Sequence, residues 1–528
     1  MKKNIKLIMN IFLIIISILL MFIIIRNKIS NNVSKPYVAV SEETNKIVLN
    51  KRVKFNFIDK TLLFLLMNVF VFSILHLLKK NKKFFSKYNF SYGFILSFLL
   101  FCLIVFVSNN FLLNIKQVNN PYNNYIISPK GIYEYETNKT LSGEKIVCNK
   151  KDTNSILVNK NSTIDIFNSK IYKYGDSKDL SYSKIYGINS AILIMKDSKL
   201  NISNSSINTS AIGASGLFSV LENSRINANS LIINTTSKES IGIVSSINSE
   251  IVGNNITIKT SSSSSPALSS IRDGILTIES SILKTTASDS PLISSSSIVN
   301  INDSIGDANA SPAIYMTDNP IIKISNCKFN VTANKISEKK YDGAFVIYND
   351  SNKYDYNGNS RINIYSSEIN IKKQSKVYSK APIFYIIDSN VVINLSDNTF
   401  SYGSNIFLNV KNTNKNKKLS VVLNSTKQEI NGNIQLSKNV SLDINFKNTN
   451  FNGNINYDNN SNDISLNIDK NSNISLTDNI HVSIINDDDD TFDNIVSNGY
   501  TLYYDKTLNK KLNGKTIKLK DGGAIKPI

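Results

Sequence analysis

Residues 191–209 read AILIMKDSKLNISNSSINT, residues 216–235 read GLFSVLENSRINANSLIINT, and residues 242–260 read GIVSSINSEIVGNNITIKT. Laid over one another, the three stretches place apolar residues at matching positions about 25 residues apart. A first station continues through Ile192, Leu217, Ile243, Leu268, Leu292 and Ile314. A second runs through Leu200, Ile226, Ile251, Leu276, Val299 and Ile322. A third runs through Ile207, Ile232, Ile256, Ile282, Ile305 and Phe329. Within a station, apolar and polar residues alternate, as in Leu200-Asn201-Ile202, so the two types fall on opposite faces of a strand. The apolar positions are mostly β-branched, and the Asn, Ser, Asp and Thr runs between them suit turns.

Three short strands per turn of about 24 residues describe a parallel β-helix. One turn cannot bury its apolar face alone. Stacked turns align Ile on Ile and leave the polar positions in water. The pattern loosens after residue 333, with insertions at 334–343 and 348–360, then resumes from Arg361 onward. At ~24 residues per turn, the outer part of the chain holds roughly 15–17 turns. The fold expected is therefore all-β: a right-handed parallel β-helix over 117–498, with its C-terminal end at 499–528.

Composition changes sharply near residue 116. The first 116 residues carry 17 Lys+Arg against three Asp+Glu, a net of +14, which leaves +6 of the chain's +20 for the rest. Charge so divided, without a basic stripe carrying interleaved aromatics, gives no sign of a nucleic-acid partner. Three apolar runs, about 7–25, 61–78 and 92–113, have the length of membrane-spanning helices. The first lacks a small-residue cleavage site and reads as an uncleaved helix within 1–28. The basic loop 79–91 between the second and third, like the N-terminal lysines, belongs in the cytoplasm. The expectation is a small α-helical transmembrane region with three helices, the N-terminus inside, loop 29–60 outside, and residues 117–528 extracellular. The lipid membrane is then a partner. His76 and Asn68 fall within the second run, His76 toward its basic end.

The tail NGYTLYYDKTLNKKLNGKTIKLKDGGAIKPI (498–528), the rungs in EINGNIQLSKNVSLDINFKNTNFNGNIN (429–456), SKIYGINSAILI (183–194) and SPAIYMTDNPIIKISNCKF (311–329) carry a resemblance. Together they resemble right-handed β-helix surface proteins of bacteria and archaea described as adhesin-like or "carbohydrate-binding domain-containing". The resemblance spans about 121–528 and implies a surface binding protein. The chain departs from that pattern in its three apolar runs and in having no Trp.

No catalytic constellation stands out. Of two histidines, only His481 lies in the repeat region, and nothing around it reads as a nucleophile elbow. Zinc-type spacing is missing, no cofactor is expected, and arginines are scarce beyond residue 117: Arg225, Arg272 and Arg361. The run Asp487 to Asp490 with Asp493 is a cluster that calcium favours, yet adjacent aspartates cannot all face one ion, and a solvated loop explains it. Cys148 and Cys327 could pair or stand as two thiols; the inward position of Cys327 in ISNCKF favours separate thiols. Tyr315, Tyr348, Tyr503 and Tyr504 are candidate ligand contacts, since tyrosine stacks on sugars and offers a hydroxyl. The function expected is non-enzymatic contact with a cell-wall polymer, glycan or protein partner. A polysaccharide lyase or hydrolase, and an architectural envelope protein, are the alternatives.

Overall fold

The computed structural model describes residues 129–335, 342–349, 359–414 and 416–528, and the strand backbones Val38–Ser41, Lys46–Leu49 and Ile126–Ile127. The chain divides into two units, Met1–Ser128 and Pro129–Ile528. In the first, the three strands form an antiparallel sheet with Lys46–Leu49 in the middle.

The second unit is an all-β parallel solenoid of about 15 turns between residues 131 and 527. Its first face is a twelve-stranded sheet from Gly131–Tyr135 to Asn433–Leu436. Successive second-face strands also pair in parallel. Their inward column runs Ile164, Leu200, Ile226, Ile251, Leu276, Val299, Ile322 and Ile362 in register, and every member is buried. The dry column expected from the second station is therefore present. Each aliphatic side chain removed from water there contributes about 1.5–3 kcal/mol before the cost of ordering the chain. At the C-terminal end, Thr501–Tyr504 stacks on Ile480–Val482, and Ala524–Pro527 stacks on Thr501–Tyr504. Ile517–Lys518 then folds back antiparallel on that last strand.

The bend between the second and third faces repeats one device. Asn204, Ser230, Asn255, Ser280, Asp303, Asn326, Ser366 and Asp397 all have φ between 47° and 58°. Small polar side chains tolerate this left-handed conformation better than bulky ones. The next residue then turns inward, and where it is Ser or Asn its side chain accepts a backbone N–H from the preceding turn. Ser304 Oγ accepts the Ser281 N–H at 3.0 Å, and Asn398 Oδ1 accepts the Ser367 N–H at 2.9 Å.

Two expectations need correction. Among the described residues no helix is long and apolar enough to cross a membrane, and the fold they show is the all-β solenoid rather than a β-helix preceded by transmembrane helices. The one described α-helix, Leu180–Tyr186, has seven residues, about 10 Å against the ~30 Å of a bilayer core. It is capped by Asp179 at one end and by left-handed Gly187 at the other. It lies on the outer surface of the first face, where Ser246 donates to the Ile185 carbonyl. The runs 7–25, 61–78 and 92–113, and with them His76, Asn68 and loop 79–91, lie outside the described residues.

The third station is the second correction. Ile207, Ile256 and Phe329 are buried, but Ile232, Ile282 and Ile305 are 53%, 50% and 52% exposed. The inward column is Ile207, Ile233, Ile258, Leu283, Gly306 and Phe329. A shift of one residue moves a side chain to the opposite face of a strand. Gly306 occupies its slot because a Cβ there would sit 2.3 Å from Leu292 and 2.7 Å from Phe329.

Candidate functional site

The longest ordered polar feature on the solenoid is a ladder of asparagines on the outside of its second face. Asn363, Asn394, Asn424, Asn445, Asn467 and Asn486 stand in register on six successive turns. Strand alternation places them there: each follows an inward aliphatic residue, and Asn363, Asn394 and Asn467 sit between two, as in Ile362-Asn363-Ile364. Each Nδ2 donates to the Oδ1 of the preceding turn: Asn394 to Asn363 at 2.7 Å, Asn424 to Asn394 at 2.7 Å, and Asn445 to Asn424 at 2.9 Å. Asn467 donates to Asn445 and Asn486 to Asn467, both at 2.8 Å.

A side-chain amide has two N–H donors and two carbonyl lone pairs, so the ladder leaves one of each facing outward on most rungs. The rungs repeat at the strand spacing of ~4.8 Å. Earlier in the solenoid the same column holds Asp165, Asn201 and Asn227, linked at 2.7 and 2.8 Å. That part lies in a shallow groove of about 550 Å³ that also includes Phe167, Asn229 and Asn254. Val252, Thr277 and Lys323 interrupt the column between Asn227 and Asn363, and the Lys323 ammonium lies 6.0 Å from the Tyr365 ring centre.

The four tyrosines are not brought together. Tyr315 is half-buried on the outer surface of the first face, in register with Val346 of the next turn. Tyr348, also half-buried, ends that next strand. Tyr503 lies near the C-terminal end, stacked on His481 with ring centres 4.8 Å apart and planes 9° from parallel. Tyr504 points inward, is fully buried, and donates its hydroxyl to the Lys515 carbonyl at 2.8 Å. A side chain so placed packs the core and meets no external ligand.

The remaining polar residues are held locally. Burial lowers the pKa of His481, and its Nδ1 is buried without a partner. Asp489 accepts from the Thr491 hydroxyl and N–H and from the Asp493 N–H, and these bonds hold its pKa down. Asp487, by contrast, is raised by burial. The acidic run is thus folded into its own turn, and among the described residues no group of three or more His, Cys, Asp or Glu is set to hold a metal ion. Cys148 and Cys327 are both free and buried.

The ladder was only half visible in the sequence. The alternation of Leu200, Asn201 and Ile202 signals an outward asparagine, but in a chain this rich in asparagine no single one stands out. The recurring aliphatic-Asn pair that closes an alternating strand in RINIY, VINLS, VVLNS and LDINF is the signal that marks it. No family model matches the chain, and no curated protein and no solved structure matches it either.

Proposed function

We propose that the solenoid is a non-enzymatic surface binding protein whose ligand is an extended, hydroxyl-rich glycan lying along the asparagine ladder. The observation that carries this reading is the ladder itself. Its amides are held in fixed orientation by one another, so little side-chain freedom is lost on binding. Each outward N–H and C=O can meet a hydroxyl, which both donates and accepts. The ladder amides carry no charge, and the Asp443 carboxylate, which accepts from Asn467 and Asn445, is negative, so the surface favours neutral polymers over acidic ones.

The test is retention of the purified full chain on insoluble neutral polysaccharides, run beside the triple substitution Asn394→Leu, Asn424→Leu and Asn445→Leu. Retention that disappears in the triple variant, with its β-type circular dichroism unchanged, supports the reading. Equal retention of both proteins, or none by either, overturns it. Release of shortened or unsaturated sugars during the incubation would make the protein a lyase or hydrolase instead.

A further inference from the structure

Among the described residues the third face has one break. Thr399–Ser401 pairs with Glu368–Ile371 behind it, and Glu429–Asn431 pairs with Asn450–Gly453 ahead of it. Among the described residues no strand pairing joins Thr399–Ser401 to Glu429–Asn431, although the second face stays paired across the same two turns. The first face also stays paired there, with a bulge between Ile406 and Leu408 that turns Phe407 into the core. The turns therefore cannot separate, and the break leaves a slot of fixed width. The Tyr402 hydroxyl crosses it to the Asn431 carbonyl, and Gly432 is glycine because a Cβ there would lie 2.3 Å from that hydroxyl.

A cavity of about 170 Å³ occupies this slot. Phe400 and Tyr402, both half-buried, and buried Phe407 form its apolar wall. Exposed Thr399, Glu429 and Asn431 form its polar rim. The Glu429 carboxylate accepts from the Asn431 amide at 3.1 Å, which fixes both side chains. An apolar wall with a few oriented polar groups is the usual make-up of a small-molecule site, and a volume below the ~300 Å³ of ordinary pockets admits one ring.

We propose that the slot is a binding subsite for a single neutral sugar ring, placed against Phe400 and Tyr402 with its hydroxyls on Glu429 and Thr399. An aromatic wall meets the apolar C–H face of a pyranose, and a carboxylate accepts from sugar hydroxyls with charge-assisted strength. The same carboxylate repels uronic acids. The inference rests on the glycan reading but concerns a different place, across the Asp397 and Lys427 bends from Asn394 and Asn424.

The test is saturation-transfer NMR on the full chain with D-glucose, D-galactose and D-glucuronate, repeated on Glu429→Gln and Phe400→Leu. The expected result is a signal from at least one neutral sugar, none from glucuronate, and binding about tenfold weaker in each variant. Glu429 is at the surface, so Glu429→Gln keeps the test valid if Phe400→Leu fails to fold. Absence of any neutral-sugar signal, a glucuronate signal of equal size, or unchanged binding in Glu429→Gln overturns the subsite. Polysaccharide retention that survives in Glu429→Gln but fails in the ladder variant would separate loss of the slot from loss of the glycan reading.

Discussion

Cys327 donates its backbone N–H to Ser367 Oγ at 3.0 Å, one solenoid turn onward. Its thiol is directed at the Ser325 carbonyl at 3.2 Å, as the Ser304 hydroxyl is directed at the Asn302 carbonyl at 2.6 Å one turn before. Cys327 is thus a serine-like rung in the bend ladder of Ser281, Ser304, Ser367 and Asn398.

Cys327→Ser should therefore fold and be no less stable, because a hydroxyl makes the stronger hydrogen bond in the same geometry. Cys327→Val removes the thiol donor while the Ser325 carbonyl keeps the Asp303 N–H at 3.0 Å, so the cost is that of one hydrogen bond, about 0.5–1.5 kcal/mol. Burial pushes the Cys327 thiol up to about 11, so almost none is thiolate at pH 8. A thiol-reactive chromogen should leave Cys327 unmodified until denaturant is added. Fast modification in the native protein would contradict the placement.

The exposed isoleucines give a sharper check on register. Ile282→Lys should change stability by no more than about 0.5 kcal/mol, the range of ordinary surface substitutions. Leu283→Ala, one residue on and fully buried, should cost about 2–5 kcal/mol in urea unfolding. If the two costs were reversed, the third face would be one residue out of register.

The contrast between these neighbours shows how far the sequence could be read. Strict alternation in Leu200-Asn201-Ile202 leaves one choice of inward side chain, and the second column follows from it. In Leu231-Ile232-Ile233 and Ile282-Leu283 two or more apolar residues adjoin, so alternation alone cannot choose. The choice is made in three dimensions, by the residue after the left-handed bend turning inward. The Thr399–Glu429 slot was illegible for another reason. It consists of pairing that does not form between two ordinary-looking strands, and nothing in either strand announces that. Tyr504 was misplaced as a ligand contact because tyrosine suits both a binding surface and a core.

In the asparagine ladder, Asn424 bonds to both neighbours, Asn394 and Asn445. Asn424→Leu deletes both bonds at a half-exposed position, where water can satisfy the two amides left behind. The expected loss is about 1–2 kcal/mol, or roughly 0.5–1 kcal/mol for each bond. Asn486→Leu, at the ladder's end, removes one such bond and should cost about half as much. Urea denaturation followed by circular dichroism reads both, and equal costs would mean that the amides are not coupled along the axis.

Lys173 supplies a pH test. It points inward from Lys170–Lys173 and is fully buried, its ammonium donating to the carbonyls of Lys150, at 2.9 Å, and Gly175. Burial lowers its pKa below the ordinary 10.5, while neighbouring Cys148, Asp152 and Asp176 oppose the shift. A lysine with a lowered folded-state pKa binds its proton more weakly in the native chain than in the unfolded one. Between that lowered value and about 10.5 the unfolded chain therefore holds more protons, and stability rises with pH through this window. Below the window both states are protonated, and the desolvation cost of the buried ammonium is present in full. Other lysines, tyrosines and thiols also titrate there, so the comparison is with Lys173→Met, which keeps the stem and deletes the charge. Across urea midpoints at pH 7, 8, 9 and 10 the wild type should gain on the variant as pH rises: the gap narrows if desolvation outweighs the two carbonyl bonds and the variant leads at pH 7, and widens if it trails. A stability difference that stays constant across the series would show that Lys173 keeps an ordinary pKa and that the first turns admit water.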